Sequence, residues 1–242
     1  MIIAKRTDVG LTRSMNQDAC ASGEFSDGMV WTVVCDGMGG AASGDVASTT
    51  AVKIITERIH ASYREGMQAN SIRSLLFSAI EGANAVVYEM ACANPAFAGM
   101  GTTVVAAILR DGAAYIAHAG DSRAYRITQG EMRQLTRDHS MVQAMVDRGQ
   151  ISESEAKDHP RKNIITRALG VDDMILIDFC EEPFNRGDVL LICTDGLTNM
   201  IDDADICGIV LENELSRAAD LLIEKANENG GQDNITAVLI AE

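Results

Sequence analysis

The sequence predicts an α+β domain in which sheets and helices occupy separate layers. Three observations lead there. Strand-like apolar runs come first, two helical patterns follow side by side, and strands then return before one more helix and a last strand. Asp111-Gly112 and Gln129-Gly130 separate consecutive strand candidates, a signal for hairpins between antiparallel neighbours. Finally, strand and helix do not alternate along the chain, as βαβ units would require.

Taken in order, Ile2 to Val9 reads as a first strand that runs into a polar turn at Gly10 to Asn16. A short strand around Ala19 to Ser22 precedes the apolar run from Trp31. Ser43 or Asp45 can cap a helix to about His60, with Ala47, Ala51, Ile54, Ile55 and Ile59 on one face. Ile72, Leu75, Leu76, Ala79, Ile80, Ala83, Val87 and Met90 then recur at helical spacing until Pro95 ends the segment. Both helices read as core packing without chemistry. Strands follow at Thr103 to Leu109, Ala114 to Ala119, Ser122 to Ile127 and Met132 to Leu135, which leaves Asp121 at a tip between two of them. The segment from about 140 to 173 is polar and carries Arg148, Arg161, Lys162 and Arg167. Ser152 and Glu155 can start a short helix there as a capping box. It reads either as a solvated insertion or as a substrate-facing flap. Further strands are expected at Met174 to Cys180, Asp188 to Cys193 and Ile235 to Ile240, with a helix from about Leu215 to Asn227 before the last.

A chain of 242 residues, 47% of them apolar and only 3 proline, can bury a sizeable core and is globular, not disordered. Its formal net charge of −15 argues against a nucleic-acid binder, because such affinity comes mainly from Lys and Arg neutralising phosphates. The 6 cysteines form no C-x-x-C pair and read as reduced, mostly buried thiols, Cys35 and Cys193 among them. No signal-peptide run opens the chain, and no segment is expected to reach the roughly 20 apolar residues of a membrane helix. A cytoplasmic protein without a membrane partner is the expectation.

The chain is organised around Trp31-Thr32-Val33-Val34-Cys35-Asp36-Gly37-Met38-Gly39-Gly40. A buried strand here delivers one carboxylate to a sheet edge, and glycine then lets main-chain atoms approach whatever that carboxylate holds. Val189 to Gly196 repeats the construction and ends in Asp195-Gly196. Two such carboxylates are costly together unless cations lie between them. Asp18, Asp36, Asp121, Asp195 and Asp233 all stand at strand ends or turns. Oxygen donors without His or Cys suit Mg²⁺ or Mn²⁺ better than zinc. Singly, each Asp reads as a turn former; jointly they point to a metal centre.

Arg13-Ser14-Met15-Asn16-Gln17-Asp18, Asp36 to Gly40, Gly101-Thr102-Thr103, Gly120-Asp121-Ser122-Arg123, Asp195-Gly196 and Asp233-Asn234 come in the order seen in metal-dependent Ser/Thr protein phosphatases of the 2C type. The chain resembles the bacterial stand-alone form of that family from near its N-terminus to its last strand. The resemblance implies one catalytic domain over 1–242, a four-layer α/β/β/α sandwich of two antiparallel sheets flanked by helices, with a flap at about 140–173. It implies two Mn²⁺ or Mg²⁺ ions bridged by Asp36, with the Gly37 carbonyl completing the second and Asp195 and Asp233 holding the first. Asp121 with Asp195 matches a third metal position. Asp18 would orient the metal-bound water, and Arg13 would grip the substrate phosphate. Phosphorylated proteins would be substrates, a Ser/Thr kinase the opposing partner, and nucleic acid no partner. Such a site makes chemical sense: paired cations about 3.5–4 Å apart acidify a water and neutralise phosphoryl oxygens, and a guanidinium matches phosphate with two hydrogen bonds.

Two positions depart from the family pattern. Gln17 stands where many members carry Glu, and Met38 stands where others carry a histidine taken as the leaving-group acid. His139 is a candidate substitute acid, set against a role in stabilising the helix that follows Ser140. Rival readings are a dinucleotide site at Gly37-Met38-Gly39-Gly40-Ala41-Ala42, which lacks its βαβ context, a non-catalytic module of the same fold, and a phosphatase dedicated to one regulatory protein such as an anti-sigma-factor antagonist.

Overall fold

In the computed structural model of the chain, residues 1–39 and 43–242 are described. Gly40, Ala41 and Ala42 of the glycine run lie outside them. Among the described residues, eleven strands build two sheets, with antiparallel pairing between neighbouring strands. The first holds β1 (Ile2–Asp8), β11 (Ile235–Ala241), β10 (Val189–Cys193), β7 (Arg123–Thr128) and β8 (Glu131–Gln134), in that spatial order. The second runs β2 (Asp18–Glu24), β3 (Val30–Met38), β5 (Val104–Arg110), β6 (Ala113–Ala119) and β9 (Asp178–Pro183), with the short β4 (Gly101–Thr102) added to the end of β3. At the β5–β6 hairpin, Asp111 and Gly112 take φ values of 50° and 75°, as a type I′ turn demands.

Strand alternation decides the layering. Along β3 and β5, Val30, Val34, Val105, Ala107 and Leu109 face Leu190, Ile192, Val238 and Ile240 of the other sheet. Their neighbours Trp31, Val33, Cys35, Val104, Ala106 and Ile108 face the opposite way, into α1 (Gly44–Ser62) and α2 (Ala69–Ala93). On the far side, Val189, Leu191, Cys193, Ala237 and Leu239 pack under Ala218, Ala219, Leu222 and Ile223 of α7 (Leu215–Glu228) and under Ile206 and Val210 of α6 (Asp203–Glu212). The result is the four-layer α/β/β/α sandwich. The central strands are apolar on both faces because both faces are covered.

Some expectations need correction. The strand expected from Met174 begins only at Asp178, and Met174 to Ile177 form an irregular stretch instead. Helix α6 and the single turn α5 (Asp195–Thr198) have no counterpart among the expected elements. Helix α1 starts after Ser43, so Asp45 lies inside its first turn and does not cap it. Cys92 is exposed, against the expectation of mostly buried thiols. Helix α2 is long and apolar enough on average to cross a membrane. Here it buries Ile72, Leu76, Ile80, Ala83 and Val87 against the second sheet and is a core helix. The 140–173 segment carries α3 (Met141–Asp147) and α4 (Glu153–Lys157), and the capping box of Ser152 and Glu155 is formed.

Candidate metal centre

One end of the sandwich gathers the acids. A pocket of about 230 Å³ is lined by Asp36, Asp121, Asp195 and Asp233 together with Arg13 and the Gly37 backbone. Asp36 comes from the end of β3, Asp121 from the crossing between β6 and β7, and Asp195 from the start of α5. Asp233 sits just before β11. Asp18 at the start of β2 pairs across the ladder with Asp36.

The short motifs found in the sequence are what hold this end together. Thr103 Oγ1 accepts from the Asp36 amide at 2.9 Å, while Thr102 Oγ1 and the Thr103 amide both donate to the Asp36 carbonyl. Thr103 Oγ1 also meets Ser122 Oγ at 2.7 Å, which ties β3 to the turn bearing Asp121. Asn234 knots the N-terminal loop: its Nδ2 donates to the Val9 and Met15 carbonyls and its Oδ1 accepts from the Gln17 amide at 2.8 Å. Arg123 is a structural cation here, forked onto Asp138. Both Asp-Gly pairs need their glycine for close approach. A Cβ on Gly37 would lie 2.0 Å from the Gly44 carbonyl oxygen, and one on Gly196 would lie 2.0 Å from that of Asn234.

Asp18 is buried between the two sheets, where Thr194 and Thr236 donate to its Oδ2 at 2.9 and 2.7 Å. Its Oδ1 is equally buried and has no hydrogen-bond partner. Burial outweighs those hydroxyls and, with the charges of Asp195 and Asp233, pushes Asp18 up to about 7. Burial and neighbouring carboxylates raise Asp36 well above its ordinary value, Asp121 to about 8 and Asp195 to about 6. Asp36, Asp121 and Asp195, all raised, line the pocket with Asp233, and Asp18 with its bare buried oxygen pairs across the ladder with Asp36; this donor set is matched to hard cations. Arg13 Nη2 is the cation at the rim, donating to Asp233 Oδ2 at 2.8 Å with its side chain about half exposed.

His139 is not part of the pocket. Its ring is buried, Nδ1 accepts from the Gly120 amide at 3.1 Å, and Nε2 lies 3.2 Å from Asp178 Oδ2. It therefore braces the turn before Asp121 and is no leaving-group acid, and the cap of α3 comes from Ser140 Oγ. Stacked on it at 4.8 Å is His118, and these two with Asp178 lie close enough together to hold an ion. The hydrogen bonds speak against one. The Gly120 N–H occupies Nδ1 of His139, and Arg167 Nη1 lies 3.1 Å from its Nε2 and 2.7 Å from Asp178 Oδ1, so a guanidinium stands where an ion would sit. Residues that sequence reasoning missed include Thr194 and Thr236, plain strand residues by pattern, and Asn163 and Ile165 of the polar segment, which line the pocket. Gln17 and Met38 line it as well.

A layered β-sandwich with an acid-lined cage at one end defines a metal-dependent hydrolase, and comparison with known proteins specifies which kind. Residues 12–239 match the Protein phosphatase 2C family, and the chain belongs to it. It is 41% identical to the Serine/threonine phosphatase stp of Listeria innocua over 97% of this chain and 93% of that protein. The structure of the S. agalactiae serine/threonine phosphatase superposes with a TM-score of 0.92 at 37% identity, covering 100% of this chain and 99% of that one. A PstP catalytic domain solved with 2 manganese ions matches at a TM-score of 0.84 and 30% identity, over 98% and 96% of the two chains. The protein is a metal-dependent Ser/Thr phosphoprotein phosphatase acting on phosphoproteins. A non-catalytic module of this fold is not favoured.

Proposed function

We propose that Asp36, the Gly37 carbonyl, Asp195 and Asp233 hold two Mn²⁺ or Mg²⁺ ions, with Asp121 and Asp195 forming a third position. One observation carries this reading: Asp36, Asp121, Asp195 and Asp233, from distant parts of the chain, converge on one pocket, and Asp18, paired across the ladder with Asp36, keeps a buried oxygen without a partner. Support for the ion comes also from the relative solved with manganese. When bound, divalent ions supply Lewis acidity that lowers the pKa of a water and neutralises phosphoryl oxygens. The chain's own groups do the rest. Asp18, fixed by Thr194 and Thr236, orients the attacking water through Oδ1. Arg13 exchanges its Asp233 contact for the substrate phosphate. Residues 1–242 work as one catalytic domain with a flap at about 140–173, in the cytoplasm, against a cognate Ser/Thr kinase.

The test is phosphate release from phosphothreonine and phosphoserine peptides with and without manganese, wild type beside Asp195→Ala. EDTA should abolish turnover. Asp36→Asn and Asp233→Asn should each lose about three orders of magnitude or more, the scale expected when a group central to transition-state charge is removed. Near-normal rates in either variant mean that the ligand assignment is wrong.

A further inference from the structure

Beside the acid pocket lies a second cavity of about 230 Å³, walled by Met38, Ile165, Arg167, Val171, Met174 and Leu176. Met38 and Ile165 line both cavities, so one opens next to the other. Its outer wall is the stretch expected as a strand. Within it Ile175 and Ile177 pack against the helix-side core, while Met174 and Leu176 alternate outward and stand 81% and 72% exposed. These are among the largest apolar side chains left in solvent, and Val171 joins them at 46%. Apolar surface grouped in this way marks a contact site more often than scattered single residues do.

The wall is held in place. Asn84 of α2, buried in the core, donates through Nδ2 to the Asp172 and Asp173 carbonyls at 3.0 and 3.2 Å and accepts from the Gly170 amide at 2.8 Å. Leu169 and Thr102 exchange both of their backbone hydrogen bonds. A groove ordered beforehand loses little entropy when it is filled.

We infer that this groove receives an apolar side chain of the phosphoprotein substrate, close in sequence to the phosphorylated residue. The inference rests on the acid pocket being the place of hydrolysis. Continuity through Met38 and Ile165 puts the groove directly beside the pocket that the phosphate would enter. Because the two cavities share lining residues, the side chain lies within a few positions of the phosphorylated one. Charge favours the same occupant. A protein of net charge −15 repels a phosphorylated, acidic partner, and apolar contact supplies affinity that this repulsion does not weaken. Arg167, the groove's cation, is engaged by Asp178 and leaves the wall to its apolar side chains.

Phosphothreonine peptides carrying Leu or Ser at each of the three positions on either side test this, with p-nitrophenyl phosphate as a probe that has no flanking residue. Wild type should prefer the Leu peptide by about tenfold in kcat/KM at one position, mainly through KM. In Met174→Ser with Leu176→Ser, that preference should fall to about twofold or less. The loss on the Leu peptide should far exceed any loss on p-nitrophenyl phosphate. A wild type indifferent to the Leu peptides, or a preference untouched by the double substitution, overturns the inference. So does a wild-type dimer, seen by sedimentation, that the double variant dissociates, because the groove then belongs to a second copy. Failure of wild type to hydrolyse p-nitrophenyl phosphate and every peptide with manganese present would instead refute the acid pocket, which keeps the two failures apart.

Discussion

At the scale of single residues, the informative contacts lie between groups that chain order keeps apart. Arg13 reaches Asp233 across 220 positions, and Asp18 is gripped by hydroxyls 176 and 218 positions away. The acids were legible because each stands at a strand end or turn, beside Gly, Asn or a tight turn, a pattern with few structural reasons to recur five times. The threonines were not, since Thr194 and Thr236 look like any β-branched strand residue until the two sheets are stacked. His139 misled for the same reason: its sequence neighbours say nothing of Gly120 at one ring nitrogen or of Arg167 and Asp178 at the other. Arg13 supports a prediction at this scale. Exposed at the rim and bonded to Asp233, it is proposed above to meet phosphate, and a hydrogen bond between charged groups is worth about 1.5–3 kcal/mol. Steady-state kinetics of Arg13→Ala should therefore show KM raised roughly ten- to a hundredfold, with a smaller change in kcat. An unchanged KM with depressed kcat would remove Arg13 from ground-state phosphate binding.

At the scale of elements, periodicity identified whatever packs with one period. Helix α2 was the clearest, and the β5–β6 hairpin was given by its turn residues. Errors came where the same pattern has two meanings. Met174 to Ile177 is β-branched and apolar enough for a strand, yet it lacks a neighbour to pair with until Asp178 meets His118. Asp195-Gly196 reads as a turn, but the chain coils there into α5, because Gly196 lets it close on the Asn234 carbonyl. The polar segment was legible as different and not as to purpose. Asn163 and Ile165 now bring it to the pocket, whereas Arg161 and Lys162 are not among the residues lining it. Replacing Arg161 and Lys162 together by alanine should accordingly lower kcat/KM for a phosphoprotein by about tenfold and leave a small aryl phosphate within about twofold, the scale of a few weak surface charge contacts. Equal losses on both would show that these cations act on the chemistry and not on the protein substrate.

At the scale of the whole molecule, the acids gather at one end of two sheets whose facing sides are filled mainly by aliphatic side chains. Asp18 and Asp36 belong to one sheet, and Asp195 and Asp233 to the ends of strands in the other. Asp121 sits on the crossing between them. Without cations, folding buries these carboxylates and brings them together, and burial first, with their mutual repulsion behind it, pushes Asp18 up to about 7, Asp121 to about 8 and Asp195 to about 6. The linkage has a definite sign. Where the native state keeps protons that the unfolded chain has released, stability falls as pH rises, here from the ordinary carboxylate range up through the raised values. Other groups shift the balance elsewhere. The buried His118 and His139 are held below their ordinary value, so they favour folding as pH rises, but only up to about 6.5. Buried Cys35 and Cys193 act above about 9, where the unfolded thiols begin to ionise. Between about pH 6.5 and pH 8, therefore, the acid cage dominates. In EDTA the melting temperature should drop across that interval. Manganese needs the acids deprotonated and binds better as pH rises, so it should hold the melting temperature level or raise it. At about a hundred times its dissociation constant, a cation adds about 2.7 kcal/mol, or roughly 5–10 °C for a domain of this size. Calorimetric scans at the two pH values, with EDTA and with manganese, should show a stabilisation that grows with pH. A metal-free protein that melts higher at the upper pH would mean that the acids are ionised without a cation, and that their burial and mutual repulsion are not what a cation relieves.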